Sequence, residues 1–165
     1  MIYGKIETPL GEMLACVSDE GLYLLEFNDR KKYDRQINSL KKYFNSEITK
    51  GNHPLLAEVQ TQINEYFQGK RKEFTILLKF SGTEFQKNVW KELLKIPYGK
   101  TASYSDIAKK IKNPKAVRAV ANANAANKIA IIIPCHRVIG SDGSLTGYAA
   151  GLDKKKFLLK IENNT

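Results

Sequence analysis

The period of the hydrophobic pattern changes near residue 80, and this change constrains the fold more than any other feature of the sequence. Before residue 80, segments that alternate like strands are interspersed with segments at helical spacing. After Ser81-Gly82, helical spacing dominates. A chain of 165 residues has room for one ordinary domain or two small ones. We therefore predict an α/β protein with two domains: a small α/β domain over residues 1–80 and a mostly helical domain over residues 81–165.

The first domain is predicted to begin with strands. Residues 1–10 have a strand pattern, and residues 11–17 and 22–27 flank Ser18-Asp19-Glu20-Gly21, which is typical of a hairpin turn. The rest of this domain is predicted to contain a helix over residues 33–44, a second helix from residue 55 to a stop at Gly69, and a strand over residues 74–80.

Signals for helix starts recur through the second domain. They are residues of the types that cap or open helices: Thr83 with Gln86, Ser103 with Asp106, Pro114 at a first helical position, and Asp153. Before the last helix, the apolar run 129–133 predicts a short buried strand, and Asp142-Gly143 predicts a hairpin turn.

The charge balance favours a polyanionic partner. Lys and Arg number 27 against 17 Asp and Glu, which gives a net charge of +10. A small domain this basic is typical of nucleic-acid binding. The cations are 22 Lys and only 5 Arg, which also fits a Lys-rich surface unrelated to function.

Other features indicate a protein of a reducing compartment. The longest apolar run, residues 129–135, is shorter than the roughly 18 residues that a membrane helix needs. The chain does not open with a charged segment followed by an apolar stretch. The two cysteines, Cys16 and Cys135, do not make a disulfide framework. We expect no membrane association and a cytoplasmic location, or a nuclear one in a eukaryote.

Two predicted short helices separated by Ile111-Lys112-Asn113-Pro114 resemble a helix-turn-helix, which places its second helix in a DNA groove. That second helix is rich in Ala, with Arg118 at its centre. Small side chains let a helix approach DNA closely, and one long cation can reach the base stack or a phosphate. A close-packed helix pair with a solvated Arg118 explains the same pattern.

The segment Ile133-Pro134-Cys135-His136-Arg137-Val138 predicts a reactive thiol. An electropositive setting such as the one beside His136 and Arg137 favours the nucleophilic thiolate. Pro134 and the charged pair indicate that the buried strand has ended, so we expect Cys135 at its rim. Side chains of adjacent residues on an extended segment point apart, so a water between Cys135 and His136 is easier than direct contact.

The sequence predicts no metal site and no cofactor. The candidate ligands are Cys16, His53, Cys135 and His136, and apart from the adjacent pair 135–136 they lack the close spacing of structural zinc sites. We expect His53 to be a surface residue and Cys16 to lie in the core.

The Cys135 segment resembles the acceptor motif of the methylated-DNA–protein-cysteine methyltransferases, or 6-O-alkylguanine-DNA alkyltransferases. Matching positions run from about residue 83 to 162 and include several separate motifs in the family's order. They are Phe85-Gln86 and Trp90, Ser103-Tyr104, Asn113 to Val120 with Arg118, Asn127, Gly147-Tyr148, and Leu158 to Glu162.

This resemblance implies an RNase H-like first domain and a winged-helix-like DNA-binding second domain. It implies a DNA repair protein that flips 6-O-methylguanine, and also 4-O-methylthymine, out of the duplex and transfers the alkyl group irreversibly to its own Cys135. Each molecule would react once, since a thioether offers no route back. The implied partner is double-stranded DNA carrying alkylated guanine, bound by a monomer.

The resemblance also implies residue roles. Cys135 would be the acceptor, His136 would take its proton through a water, and Glu162 would orient His136. The implied substrate and DNA residues are Tyr104, which rotates the nucleotide, Arg118, which fills the vacated stack, Asn127, a hinge between recognition helix and active-site turn, and Tyr148 and Ala149, which contact the base.

Two positions depart from the family pattern. Lys128 follows Asn127 where the family often has Pro, and Ala149-Ala150-Gly151 stands where Ser and Gly are frequent. These departures bear on pocket size and on the tolerance of bulky alkyl groups.

Two other functions remain open from the residues. A non-catalytic DNA-binding regulator would use the helix-turn-helix and leave Cys135, His136 and Glu162 unexplained. A thiol hydrolase would use Cys135 and His136 and have no need of Arg118.

Overall fold

The computed structural model describes residues 1–163 and contains two compact units, Met1–Ser81 and a second that begins at Gly82. Residues 164 and 165, the end of the predicted second domain, lie outside the described residues. Each unit buries its own apolar side chains.

The first unit is built on a sheet with the strand order β3-β2-β1-β4. Its strands are β1 (Ile2–Thr8), β2 (Gly11–Ser18), β3 (Gly21–Phe27) and the two-residue β4 (Thr49–Lys50). The first three pair antiparallel, as the predicted hairpin requires, and β4 pairs parallel with β1. Every residue of β3 is buried, although the strand lies at one end of the sheet order.

Two helices complete the first unit, α1 (Arg30–Phe44) and α2 (Pro54–Phe67). Cys16 is fully buried, as predicted. The expectation that His53 is a surface residue holds only in part, because the residue is half-buried. Its side chain is only 17% exposed, it accepts a hydrogen bond from the N–H of Leu55 at the start of α2, and it contacts Asp19 at 2.8 Å.

Residues 74–80 do not form the predicted strand. Their pairing with the sheet is an isolated bridge between Leu22 and Leu78. Instead, Thr75 makes two hydrogen bonds with the side chain of Gln62 on α2. The N–H of Thr75 donates to the amide oxygen at 3.0 Å, and the amide nitrogen donates to the Thr75 hydroxyl at 2.7 Å. Since the N–H of Thr75 is bonded to a side chain, it is not available to extend a strand ladder.

The second unit is mostly helical with a two-stranded parallel sheet. Its helices are α3 (Glu84–Leu93), α4 (Tyr104–Lys110), α5 (Val117–Ala125) and α6 (Leu152–Asn163), and its strands are β5 (Ala102–Ser103) and β6 (Val138–Ile139). The predicted capping boxes are present at Thr83 with Gln86 and at Ser103 with Asp106. Pairing of Ser103 with Ile139 brings the start of α4 beside the segment that follows Cys135.

Two predicted elements of this unit are wrong in detail. Helix α5 begins at Val117 rather than Pro114, because residues 113–116 close a separate turn in which the N–H of Ala116 donates to Asn113. Residues 129–133 are not a strand. They fold as a turn in which Ile133 N donates to Ile129 O at 3.0 Å and Ile131 has a positive φ of 70°. The run is apolar because the turn is buried, and its backbone hydrogen bonds are made locally.

Helices α3 and α5 are joined by a buried hydrogen bond from the indole N–H of Trp90 to the carbonyl of Ala123, at 2.9 Å. Among residues 1–163, no helix has both the length and the apolar character needed to cross a membrane.

Candidate active site

Cys135 lies at the start of a short 3₁₀ turn, Cys135–Arg137, and not at the end of a strand as predicted. The turn is closed by a hydrogen bond from Arg137 N to Pro134 O at 3.0 Å. The Cys135 residue is 6% exposed and His136 is fully buried. Since the segment is a turn and not extended, the prediction that these neighbouring side chains diverge along a strand does not apply.

Two buried asparagines hold this turn in place. Asn127 donates to the carbonyls of Ile129 and Ile133, at 3.3 and 2.9 Å, and accepts from the N–H of Ile129 at 3.0 Å. Asn124, on α5, donates to the carbonyl of Cys135 at 3.3 Å. Helix α5 is therefore linked to the residue that carries the thiol by the side-chain hydrogen bond of Asn124.

The carboxylate of Glu162 receives hydrogen bonds from three sides. His136 Nε2 lies 2.6 Å from Oε2, and Arg137 donates through Nε at 2.8 Å and Nη2 at 3.1 Å. The backbone N–H of Gly99 adds a contact of 3.3 Å. Arg137 also donates to the carbonyl of Ile96 at 2.7 Å. A carboxylate with this many donors is well suited to remain ionised away from water.

The contact with Glu162 sets the protonation of His136. Because an ionised carboxylate only accepts hydrogen bonds, Nε2 carries the hydrogen and Nδ1 of the neutral ring is the basic nitrogen. Nδ1 is buried and has no hydrogen-bond partner among the described residues. Burial lowers the pKa of His136 below its ordinary value, and this effect exceeds the opposing influence of Glu162. The ring is therefore neutral near pH 7, as a proton acceptor must be.

The segment between β6 and α6, residues 140–151, is named the substrate loop here. It carries Tyr148, which is half-buried, and Ala149, which is exposed. The hydroxyl of Tyr104, at the start of α4, donates to the carbonyl of Thr146 in this loop at 2.8 Å. Burial raises the pKa of Tyr104, and an interaction with the side chain of Thr146 opposes the change.

Arg118 stands apart from these groups, exposed on α5. Helix α4 precedes α5 with a tight connection in which Lys112 has a positive φ of 62° and Asn113 N donates to Ala108 O at 2.9 Å. The long cation of Arg118 on a helix of small residues is thus presented to solvent, as a groove-reading helix requires.

Within the described part of the chain, no group of three or more His, Cys, Asp or Glu residues could hold a metal ion. Cys16 and His53 belong to the first unit, whereas Cys135 and His136 belong to the second.

Sequence reasoning missed three polar residues of the site: Asn124, Arg137 and Lys155. The sequence indicates Arg137 only as a source of positive charge beside the thiol, yet the residue is buried and binds Glu162. A signal for Lys155 was present, because Lys155, Leu158 and Glu162 recur at the spacing of one helix face and all three are buried. Two charged residues on the face of a buried Leu indicate polar partners inside the fold.

Both units match known protein-family models. Residues 1–80 match the 6-O-methylguanine DNA methyltransferase ribonuclease-like domain, and residues 84–164 match the 6-O-methylguanine DNA methyltransferase DNA binding domain. The predicted fold class, a ribonuclease-like first domain and a DNA-binding second domain, is confirmed.

Similar proteins cover nearly the whole chain. A methylated-DNA–protein-cysteine methyltransferase of Methanosarcina acetivorans is 47% identical over 164 residues, which are 99% of each chain. The constitutive enzyme of that name from Bacillus subtilis is 42% identical, over 97% of this chain and 94% of its own. A crystal structure of Mycobacterium tuberculosis OGT in complex with DNA superposes with a TM-score of 0.85 at 39% identity, over 99% of this chain and 94% of that one.

Proposed function

Because this chain belongs to the 6-O-methylguanine DNA methyltransferase family of DNA repair proteins, we propose that it removes the alkyl group from 6-O-methylguanine in double-stranded DNA onto its own Cys135. DNA repair by alkyl transfer is the activity of the family, and DNA is the partner. The lesion, the acceptor residue and the order of events are the proposal. The protein would act as a monomer, once per molecule, in the cytoplasm or in a eukaryotic nucleus.

The observation that carries the proposal is the buried contact between His136 and Glu162 directly beside Cys135. A nucleophile, a neutral base and a carboxylate that orients the base make up a set able to produce a thiolate. A regulator that only binds DNA has no need of this set. A domain stabilised by packing alone has no need of four charged or titratable side chains in its interior. Here they are His136, Arg137, Lys155 and Glu162.

The proton path follows from the two nitrogens of His136. Nε2–H is held by Glu162, so Nδ1 takes the proton of the Cys135 thiol through a bridging water. The thiolate attacks the alkyl carbon in line with the bond to O6. A carbon–sulfur bond forms, the carbon–oxygen bond breaks, and its electron pair stays on guanine. Guanine takes up one proton when it leaves as a neutral base. The proton that His136 received from Cys135 compensates for it, so charge is conserved.

Five residues would bring the base to the thiol. O6 of guanine lies inside the duplex, so the nucleotide must rotate out, at a cost of a few kcal/mol. Arg118 would fill the vacated space, and Tyr104 would exchange its bond to Thr146 for contact with the 3′ phosphate. Tyr148 would donate toward N3, and the backbone of Ala149 would contact the base edge. Asn127 would hold the recognition helix and the Cys135 turn in register.

The deciding experiment is the intact mass of the protein after incubation with a duplex that contains a single 6-O-methylguanine. A gain of one methyl group, mapped to Cys135 and absent with an unmodified duplex, is expected. No gain despite tight DNA binding would favour the regulator, and repeated turnover on an ester would favour the thiol hydrolase. A duplex with 4-O-methylthymine, tested in the same way, examines the second substrate.

A further inference from the structure

Lys155 is a buried cation in the centre of the second unit. It lies on α6, its residue has no solvent exposure, and it shares a helix face with Glu162. An ammonium group removed from water is tolerated only where its hydrogens find acceptors. The residues that provide those acceptors therefore show what the side chain holds together.

The ammonium group of Lys155 joins two separate segments of the chain. Nζ donates to the carbonyl of Val138 at 2.5 Å, and to the carbonyls of Thr146 and Gly147 at 2.9 and 3.1 Å. Val138 begins β6, immediately after the Cys135 turn, whereas Thr146 and Gly147 belong to the substrate loop. All three N–H donors of the group are used in this cross-link.

The start of α4 contacts the same part of the substrate loop. The Tyr104 hydroxyl donates to the Thr146 carbonyl that also accepts from Lys155, and Nζ lies 6.0 Å from the centre of the Tyr104 ring. The residue that follows these carbonyls is Tyr148. Lys155 thus fixes the part of the loop that precedes the predicted base contacts, at the position where α4 also approaches it.

We infer that Lys155 is a positioning residue for alkyl transfer: it holds the substrate loop against β6 so that Tyr148 and the backbone of Ala149 face a base placed beside Cys135. This inference rests on the proposed function and deepens it. The acceptors of Lys155 are all backbone carbonyls, so its hydrogen bonds define loop geometry and involve neither His136 nor Glu162.

A purely electrostatic role is the competing explanation. Burial lowers the pKa of Lys155, and a negative charge on Cys135 opposes that change, so the two groups are close enough to interact. A cation that only stabilises the thiolate would become dispensable once the pH is high enough to ionise the thiol without it. A cation that positions the loop would remain necessary at that pH.

The test compares Lys155→Met with Lys156→Met, which removes an exposed cation from the next position of α6. Two rates are measured for each protein from about pH 6 to about pH 10. One is alkylation of Cys135 by iodoacetamide, which needs no base pocket. The other is alkyl transfer from the free base 6-O-methylguanine, which needs the pocket but no DNA.

At the high-pH plateau, Lys155→Met should react with iodoacetamide within about twofold of the wild-type rate, whereas transfer should remain about 10- to 100-fold slower. Lys156→Met should match the wild type in both. Recovery of transfer at the plateau, or an equal loss of both rates, would overturn the inference. Absence of transfer by the wild-type protein itself would instead reject the proposed function.

Circular dichroism establishes whether Lys155→Met is folded. If it is not, Lys155→Gln takes its place, because it keeps a neutral N–H donor but is too short to bridge both segments. The same separation of the two rates is expected, and equal rates for Lys155→Gln and the wild type would overturn the inference.

Discussion

Glu162 Oε2 and His136 Nε2 lie 2.6 Å apart, with both side chains almost completely buried. This contact selects the imidazole nitrogen that can act as a base. It also connects the C-terminal helix α6 to the turn that carries Cys135, although the two residues are 26 positions apart in the sequence. The chemistry therefore depends on the packing of α6.

Replacing Cys135 by Ala should abolish alkyl transfer and leave DNA binding intact, because the sulfur is the proposed acceptor and belongs to a buried, uncharged residue that is not expected to bind phosphate. Intact mass after exposure to methylated duplex, with a gel-shift assay alongside, measures both properties. Cys16→Ala is the matched control. Burial raises the pKa of the Cys16 thiol to about 11, so it contributes little thiolate near neutral pH. Transfer by Cys135→Ala would show that the acceptor is assigned wrongly.

Replacing Arg137 by Met should destabilise the protein by about 3–5 kcal/mol, since a buried carboxylate then loses its strongest partner. Urea unfolding measures the change. Arg35→Met removes an Arg from the exposed side of α1 and should cost about 0.5 kcal/mol or less. A loss below about 1 kcal/mol in Arg137→Met would mean that Glu162 is held adequately without the guanidinium.

Stability should fall as the pH is lowered from neutral. Burial lowers the pKa of His136 below 6.5, so the unfolded chain binds a proton at a pH where the folded protein does not. The free energy of unfolding should therefore decrease between pH 7 and the lowered pKa, and level off with respect to this group below it. His136→Gln should weaken that slope, measured by urea titration at a series of pH values, whereas His53→Gln should keep it. An unchanged slope in His136→Gln would contradict the assignment.

Replacing Arg118 by Ala should slow repair of methylated duplex more than reaction with free 6-O-methylguanine, because only the duplex requires a flipped nucleotide. We expect a difference of about tenfold or more at saturating DNA. Lys115→Ala removes an exposed cation just before α5 and should weaken binding without changing the ratio of the two rates. Equal slowing of both reactions in Arg118→Ala would exclude a role in flipping.

DNA affinity should decrease steeply with salt and depend little on base sequence. The net charge of +10 and the exposed lysines near α5 favour phosphate contacts, each of which releases condensed counterions on binding. A plot of log affinity against log salt concentration, for two unmodified duplexes of different sequence, measures both properties. A flat plot would indicate that charge contributes little to binding.

Local signals in the sequence predicted local structure well. The capping boxes at Thr83 and Ser103 depend on residues three positions apart, and both are formed. The strand predicted over residues 129–133 is wrong because that segment bonds within itself and to the side chain of Asn127, and an apolar run does not distinguish a buried turn from a buried strand.

The site was predictable to the extent that its residues are adjacent in sequence or belong to a recognisable motif. Cys135, His136 and Glu162 were selected on this basis, and the structure brings His136 and Glu162 into contact. Lys155 was not selected, because an isolated Lys on a basic helix is usually a surface residue. The spacing of Lys155 with Leu158 and Glu162 indicates one helix face, but the carbonyls that Lys155 binds become apparent only in the folded chain, where β6 and the substrate loop approach α6.

Part of the interior of the second unit belongs to the proposed reactive centre, since His136, Arg137, Lys155 and Glu162 are buried beside the apolar core. A mutation that alters the chemistry there also alters the stability of the fold. Divergence of substrate range is therefore expected at the exposed positions of the substrate loop, such as Ala149, where a side chain can change size without disturbing the interior. The sequence of the loop can change while the buried polar residues of the site are retained.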